Sequence, residues 1–409
     1  MEGDWLLAVH SGAGNYGSSN ETAYLSLLRS ALESTHQVIA SASSPPSAAE
    51  VAVQLLHSFE LSSLTNAGLG ANLTEQGRVE CEASVVCGET HLVSCCGAVR
   101  GVREPSALAL KLLQQANQVE VVGAKSNFAF GRQPPLVIVG DHARQLARDF
   151  GLETATEDDE ELEKFQVTAK AQQHWDKWRR RFQEAVETKN EEEEEKEERF
   201  DTVGAICMDP MGNVAAALSS GGVAYKVPGR LGLAACPRMG CDAANAVEDR
   251  LSASRKRKRS GKPKLKNAFA VACTGRGEHF VRSNVVGALA HRLAKSSDLE
   301  RGVRKVLVES TETNADVGIE GGILALVSPP CATQTVVGGE NSRRVEIGAA
   351  FTTPCMGVGF LQCRADTEPQ AQVQLLRRPE IKEATSGSAQ QQLAIHVSFF
   401  SLPTLNQRQ

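Results

Sequence analysis

Midway along the chain, a long charged segment gives way to an apolar, strand-forming run within three residues. Residues 157–199 are mostly polar and helix-forming, and they end in a tract, Glu191 to Glu198, that is acidic apart from Lys196. Soon after it, Val203 to Met208 has the apolar character of a buried strand. A segment with few apolar side chains adds little to a hydrophobic core. We therefore predict one fold assembled from both sides of a charged helical or disordered linker at 157–201.

Apolar spacing elsewhere predicts an α/β protein with a sizeable core. Of the 409 residues, 41% are hydrophobic, which is ordinary for a globular chain. Helical spacing is found at 21–40 and 48–59, on either side of the breaker Ser43 to Pro46. Short β-rich runs are found at 79–85, 92–99, 136–139, 203–208, 214–218, 268–273, 322–327, 356–361 and 393–399. We expect sheets packed between helices.

Charge and cysteine usage argue against several classes of protein. A net charge of −5 argues against a surface that coats nucleic acid. The 11 cysteines show neither C-x-x-C nor paired Cys/His spacing, so we predict no metal site and no disulfide framework. The sequence contains no signal-peptide core and no apolar run of about 18 residues. We expect a soluble, intracellular protein with no membrane partner.

A basic run and a glycine motif each allow a functional interpretation. Arg255 to Lys266 is either a solvated loop or a nuclear import signal, and the second interpretation predicts nuclear and cytoplasmic localisation. The run has no aromatic residue to stack on bases, so we predict no direct nucleic-acid binding. Gly12 to Gly17 matches G-x-G-x-x-G, but no acidic residue lies between Thr35 and Ala49, where a dinucleotide site needs one. We therefore expect no nicotinamide or flavin cofactor.

Thr202, at the start of the apolar run, could act as a nucleophile if it became the first residue of a chain. A threonine hydroxyl needs a base beside it, and the free α-amine of the same residue supplies one. That amine has an unperturbed pKa of about 7.7 to 8.0, which suits a general base near neutral pH. Such activation requires cleavage between Asp201 and Thr202, and an accessible acidic segment upstream makes that cut easy. The alternative is a threonine that simply begins a strand.

Four later residues supply groups that this chemistry uses. If 203–208 and 213–220 form a hairpin, Ser220 returns beside the threonine and adds a second hydroxyl. Arg230 can hold a carboxylate through two hydrogen bonds. Thr274 and Gly275, at the end of another buried strand, offer a hydroxyl and a backbone N–H suited to an oxyanion. A surface ion pair for Arg230 and a plain turn at 274–277 are the simpler explanations.

Eight short segments carry a family resemblance. They are Val9 to Gly14, Leu64 to Leu73, Val79 to Ser84, Asp201 to Ala205, Gly212 to Ala217, Ser219 to Gly222, Pro228 to Gly232 and Thr274 to His279. In this order they resemble the threonine-dependent N-terminal-nucleophile hydrolases of the asparaginase type, and within them the threonine aspartase (taspase) branch. The similarity covers most of the chain and thins after about Val327.

The resemblance implies a fold, an assembly and a site. The fold is a four-layer αββα sandwich built from fragments 1–201 and 202–409, which stay together as a heterodimer and pair into a dimer of heterodimers. Self-cleavage after Asp201 creates the two fragments, and no metal or organic cofactor is implied. The implied site residues are the nucleophile Thr202, its supporting hydroxyl Ser220, the orienting Asn66, the oxyanion donors Thr274 and Gly275, and the carboxylate-binding Arg230.

Position 233 bears on the choice of branch. In asparaginases and isoaspartyl peptidases, an aspartate three positions after the arginine binds the free α-amine of a small substrate, but this chain has Leu233 there. Leucine leaves that ammonium unpaired, at a cost on the order of several kcal/mol. The taspase branch cuts proteins after aspartate and needs no such anchor. Two departures stand against the resemblance: Glu82 replaces the usual aspartate, and the basic run lies in the second fragment.

We therefore predict a self-processing threonine endopeptidase that cleaves proteins after aspartate. By resemblance, its substrates are nuclear regulators of transcription. The alternative is an asparaginase or isoaspartyl peptidase that acts on small substrates. A hypothesis from another class is a non-catalytic adaptor that uses the acidic segment and the basic run as docking surfaces. Such an adaptor would remain a single chain of 43.7 kDa.

Overall fold

The computed structural model describes residues 4–122, 132–188, 202–248, 265–313, 318–330, 342–364, 368–378, 395–400 and 405–406. Three of the predicted features lie outside them in whole or in part: Asp201, the acidic tract 191–198, and all of the basic run except Leu265 and Lys266.

The described helices and strands alternate in groups along the chain. The α-helices are α1 (Glu21–Ser41), α2 (Ala48–Glu60), α3 (Pro105–Val122), α4 (Asp141–Asp149), α5 (Asp159–Lys164), α6 (Ala169–Thr188), α7 (Gly277–Arg282), α8 (Val285–Leu293) and α9 (Leu299–Thr313). The strands are β1 (Trp5–Gly14), β2 (Cys81–Cys87), β3 (Val93–Val99), β4 (Val137–Val139), β5 (Val203–Met208), β6 (Val214–Ser220), β7 (Cys241–Ala244), β8 (Val247–Glu248), β9 (Leu265–Lys266), β10 (Ala268–Gly275), β11 (Gly321–Ser328), β12 (Ser342–Arg343), β13 (Glu346–Phe351), β14 (Cys355–Cys363), β15 (Gln372–Arg377), β16 (His396–Phe400) and β17 (Leu405–Asn406).

Two large sheets form the centre of the fold. The first has eight strands in the order β15-β14-β1-β5-β6-β2-β3-β4, and the second has five in the order β16-β13-β11-β10-β7. In the first sheet, β1 pairs antiparallel with β5 on one side and with β14 on the other. This sheet therefore interleaves strands from before the charged segment with strands from after it.

The layers follow from the side-chain alternation of the central strands. Along β6, Ala216 and Leu218 belong to the core between the two sheets, whereas Ala215 and Ala217 belong to the core under α1, α2 and α3. Successive side chains of a strand point to opposite faces, so a strand covered on both faces is apolar throughout. On the far side, α8 and α9 pack against the second sheet. The predicted four-layer αββα sandwich is confirmed.

Part of the charged segment is a packed helix. Ala171 and Trp175 of α6 lie against a small apolar cluster that includes Leu73 and Val79. The Trp175 indole Nε1 donates a hydrogen bond to the Thr74 carbonyl oxygen at 2.9 Å. This narrow stripe anchors α6 although most of its side chains are polar. None of the described helices has the length and apolar content that a bilayer crossing requires.

Candidate active site

Thr202 and Ser220 meet at one end of the β5–β6 hairpin. The antiparallel register places Val203 opposite Ser219, so the residues just beyond this pair come together. The two hydroxyl oxygens, Thr202 Oγ1 and Ser220 Oγ, are 3.0 Å apart, and both residues are buried. The Gly222 backbone N–H donates to Ser220 Oγ at 3.0 Å, which fixes the position of the serine hydroxyl. The structure therefore contains the hairpin predicted from the sequence, with the second hydroxyl in hydrogen-bonding distance of Thr202.

Asn66 holds the loop that follows Ser220. Its Nδ2 donates to the Gly222 carbonyl oxygen at 2.7 Å, and its own carbonyl oxygen accepts from the Gly221 N–H at 2.8 Å. Its Oδ1 accepts from the Asn72 N–H at 2.8 Å. A Cβ atom at position 221 would lie 2.4 Å from that Oδ1, so this approach requires glycine. Asn66 lines the same pocket as Thr202, and it contacts the β5–β6 hairpin through the loop at Gly221 and Gly222.

Thr274 and Gly275 end β10 on the second sheet, opposite the hairpin. Thr274 is fully buried. Gly275 has a φ of 142°, and a Cβ atom there would lie 2.3 Å from the Glu320 carbonyl oxygen, so only glycine fits. Gly275 belongs to the described lining of the Thr202 pocket, whereas Thr274 does not.

Arg230 also lines this pocket, and it forms a bidentate ion pair with Glu278. Its Nε and Nη2 donate to the two carboxylate oxygens at 2.8 and 2.7 Å. Burial raises the pKa of Glu278, but the hydrogen bond and charge of Arg230 outweigh it and hold that pKa below its usual value. The Glu278 carboxyl is therefore ionised near neutral pH.

The pocket between these residues is small, about 20 Å³. Its lining consists of Asn66, Glu82, Thr202, Ser220, Gly222, Val223, Arg230, Gly232, Leu233, Gly275 and Gly277. A space of this size holds about one water molecule.

A buried lysine, Lys226, was missed by the sequence analysis. Its ammonium donates to the Gly221 carbonyl oxygen at 2.8 Å and to the Glu80 carbonyl oxygen. Burial lowers the pKa of Lys226, while the charge of Glu82 opposes that shift. The sequence motif around Arg230 predicts a carboxylate site. The residues next to Lys226 give no sign that its side chain turns inward and binds the loop at Gly221.

A second buried group beside the hairpin is the carboxyl of Glu60, at the end of α2. It accepts hydrogen bonds from Ser219 Oγ at 2.5 Å and from the N–H and Oγ of Ser106 at 3.0 and 2.7 Å. Burial raises the pKa of Glu60 to about 7, against the opposing effect of these hydrogen bonds. Ser219 directly precedes Ser220, so the Glu60 carboxyl is hydrogen-bonded to the chain neighbour of Ser220.

We expect Glu60→Gln to become more stable relative to wild type as pH rises. Between the ordinary pKa of 4.5 and the folded value of about 7, the unfolded chain releases a proton that the folded chain keeps. Folding therefore loses about 3 kcal/mol across that interval, a loss that glutamine lacks. Urea unfolding at about pH 4.5 and about pH 8 measures it. Glu33→Gln, on the exposed face of α1, is the matched control, and a pH-independent Glu60→Gln difference would contradict the prediction.

A larger cavity of about 420 Å³ adjoins the small pocket. Asn66 lines both spaces, so the two are adjacent and share this residue as a wall. Opposite Asn66, the cavity is walled by polar residues of α6, among them Lys170, His174 and Lys177. The helix in the charged segment therefore lies next to the site.

The described residues contain no cluster of acidic, histidine and cysteine side chains that could hold a metal ion. The described cysteines are free thiols, most of them buried. Burial raises the pKa of Cys81 and Cys241 to about 12, so both remain protonated at neutral pH. Neither is activated as a nucleophile.

Four layers, with a threonine at the start of an inner strand and a second hydroxyl beside it, define the class of N-terminal-nucleophile hydrolases. The chain belongs to the asparaginase family of this class, because the family model Asparaginase_2, described as asparaginase, matches residues 3–249. The protein is therefore a hydrolase by family.

Several proteins are similar over most of the chain. An isoaspartyl peptidase of Salmonella typhimurium is 28% identical over 327 residues, which cover 78% of this chain and 88% of that protein. A probable isoaspartyl peptidase/L-asparaginase of Drosophila pseudoobscura is 27% identical over 367 residues, covering 87% and 93%. An isoaspartyl peptidase/L-asparaginase of Mus musculus is 25% identical over 304 residues, covering 74% and 76%.

Proposed function

We propose that this chain is a self-processing threonine endopeptidase of the threonine aspartase type, which cleaves protein substrates after aspartate. The proposal uses Thr202 as nucleophile after cleavage from Asp201, with Ser220 beside it. Arg230 would bind the carboxylate of the substrate aspartate. The observation that carries the proposal is the apolar wall that Leu233 gives the pocket.

Leu233 is 2% exposed and lines the pocket together with Arg230. A small substrate such as asparagine or an isoaspartyl dipeptide carries a free ammonium as well as a carboxylate. Burying that ammonium against leucine leaves it without a counter-charge, which costs about 3 kcal/mol or more. A polypeptide substrate has an uncharged amide at this position, so it avoids the cost.

Glu82, the acidic residue among the described lining of the pocket, is engaged by other groups. Its Oε2 accepts from the Gly232 N–H at 2.6 Å. Burial holds the pKa of Glu82 above its usual value, although the charges of Lys226 and Arg230 and the Gly232 hydrogen bond oppose that shift. The carboxylate therefore holds the segment that carries Leu233 and has two cations already beside it. It is poorly placed to replace the missing aspartate.

The neighbouring cavity also supports a long substrate. The pocket at Thr202 measures about 20 Å³, whereas the adjacent cavity that Asn66 also lines measures about 420 Å³. Residues on one side of a scissile bond could extend into that space, while a free amino acid would leave it empty. Its lining includes asparagine, glutamine, lysine and histidine side chains that could form hydrogen bonds with a peptide chain.

The proposed reaction follows from these groups. The free amine of Thr202 takes the proton of its own hydroxyl as Oγ1 attacks the main-chain carbonyl carbon of the substrate aspartate. The oxyanion would be stabilised by Thr274 and Gly275, as in the family that the chain resembles. The C–N bond breaks, the leaving amine takes the proton, and an ester to Thr202 remains. Water then attacks the ester, which releases the acid and restores the hydroxyl.

A second candidate is hydrolysis of asparagine or isoaspartyl dipeptides. The observation in its favour is the similarity over most of the chain to proteins named isoaspartyl peptidase and L-asparaginase. This candidate requires the ammonium of the substrate to find a carboxylate in the pocket, and Glu82 is the described candidate for that role.

A substrate panel with one substitution at position 233 separates the two candidates. We expect the wild-type protein to cleave a peptide containing an apolar residue followed by aspartate, with kcat/KM at least about 100-fold above that for an isoaspartyl dipeptide or asparagine. Leu233→Asp should raise kcat/KM for the isoaspartyl dipeptide, because it supplies the counter-charge.

Leu233→Asn is the matched control, since it has the size of aspartate without the charge. It should leave isoaspartyl hydrolysis low. The proposal would be wrong if the wild-type protein hydrolysed isoaspartyl dipeptides efficiently and left the aspartate peptide intact.

A further inference from the structure

Glu278 holds the guanidinium of Arg230 by one edge. The two side chains are joined by parallel hydrogen bonds from Nε and Nη2 to Oε1 and Oε2, at 2.8 and 2.7 Å. This geometry keeps the guanidinium plane and the carboxylate plane aligned. It uses the edge of the arginine that carries Nε.

The opposite end of the guanidinium faces the pocket. A Cβ atom at Gly232 would lie 2.6 Å from Nη1, and one at Gly222 would lie 3.0 Å from it. Both glycines line the space that contains Thr202. The side chain of Arg230 is 16% exposed and that of Glu278 is 54% exposed, so the carboxylate lies on the solvent side. Nη1 is therefore available to a ligand in the pocket while Glu278 is bound.

The ion pair contributes little to the stability of the fold. Water screens a carboxylate that is 54% exposed, so its pairing with arginine adds little to the free energy of unfolding. Its larger effect is on conformational freedom, because an arginine side chain has many rotamers and must lose that freedom when it binds a ligand. Glu278 removes that freedom before a substrate arrives.

The position of Glu278 links it to a second part of the site. It is the second residue of α7 and lies three residues after Gly275, whose place in the pocket is fixed by its approach to the Glu320 carbonyl. A single short segment, 275–278, thus places both the proposed oxyanion donor and the carboxylate that holds Arg230.

We propose that Glu278 is a positioning residue for substrate binding: it fixes Arg230 so that Nη1 and the second N–H of Nη2, which Glu278 does not use, point at the carboxylate of the substrate. The inference rests on the proposed role of Arg230. A competing interpretation makes Glu278 an internal occupant of the carboxylate site, which the substrate must displace. The two differ in the sign of the effect on KM.

The test measures KM and kcat of the self-processed protein for the aspartate peptide. We expect Glu278→Ala to raise KM about tenfold and to leave kcat within about twofold, because binding is lost equally from the ground and transition states. Glu278→Gln keeps one acceptor oxygen and should recover part of the loss. In an Arg230→Ala background, Glu278→Ala should change neither constant, because the group it positions is gone.

Glu300→Ala is the matched control, since Glu300 forms an equally short pair with Arg304 on α9, away from the pocket. A fall in KM for Glu278→Ala would overturn the proposal in favour of the internal occupant. Unchanged constants, or an equal loss in the Arg230→Ala background, would also overturn it. If wild type cleaves the isoaspartyl dipeptide instead, the proposed endopeptidase function fails. The same variants then test Glu278 on that dipeptide, which also presents a carboxylate.

Discussion

The Thr202→Ala variant is expected to remain one chain of 43.7 kDa, whereas the wild-type chain separates into residues 1–201 and 202–409. The reason is that Thr202 Oγ1, 3.0 Å from Ser220 Oγ, is the atom proposed to attack the carbonyl carbon of Asp201, and alanine lacks it. A denaturing gel with amino-terminal sequencing measures the outcome. The second wild-type fragment should begin Thr-Val-Gly-Ala.

Two matched variants separate the chemistry from folding. Thr202→Ser keeps a hydroxyl at the same position and should still split. Ser220→Ala keeps the nucleophile but removes the neighbouring hydroxyl, and we expect slower splitting by about 10-fold to 100-fold. A Thr202→Ala chain that splits between 201 and 202 would rule out self-processing and point to an external protease.

Arg230→Ala is expected to lower kcat/KM for the aspartate peptide by at least about 100-fold. Hydrogen bonds to a charged partner contribute about 1.5 to 3 kcal/mol each, and a carboxylate bound bidentately would lose two of them. Arg230→Lys keeps the charge but cannot form the paired geometry, so we expect an intermediate loss. Steady-state kinetics on the self-processed protein gives both values.

The control for this substitution is Arg304→Ala, which removes an arginine paired with Glu300 on α9. It should leave kcat/KM unchanged. If Arg230→Ala cleaved the aspartate peptide at the wild-type rate, the carboxylate of the substrate would have to bind elsewhere, and the specificity for aspartate would need another explanation.

The pairing of Thr202 with Ser220 could be predicted because it depends on local chain geometry. Two apolar runs separated by a short turn form a hairpin, and the hairpin register fixes which residues meet at its end. In the structure, β5 and β6 pair in the register that brings these two hydroxyls together. Sequence patterns are informative when the partners lie on adjacent strands.

The pairing of Arg230 with Glu278 could not be predicted, because the two lie 48 residues apart, one in the segment after β6 and the other at the start of α7. Arginine and glutamate are both common surface residues, so composition gives no sign of their contact. Lys226 is similar, since a lysine is buried only where the three-dimensional structure offers carbonyl oxygens to its ammonium, as Gly221 and Glu80 do here.

The packing of α6 against the rest of the fold could not be predicted from the sequence either. Its polar composition indicates a solvated helix, and its apolar contact with the cluster at Leu73 and Val79 is a narrow stripe that includes Ala171 and Trp175. The partner of that stripe is the segment around Thr74, about a quarter of the chain away. A few long-range contacts decide whether such a helix is anchored, and they leave no periodic signal strong enough to see.

Because of the strand order in the first sheet, refolding of a chain cut before residue 202 should differ from refolding of the intact chain. With β1 lying between β14 and β5, a cut at residue 202 would leave a strand of one fragment between two strands of the other. The intact chain forms these pairings by closing a loop within one molecule, whereas two separated fragments must first meet in solution. Refolding after denaturation should therefore depend on protein concentration only once the bond is cut, and heat inactivation of the cut form should be hard to reverse.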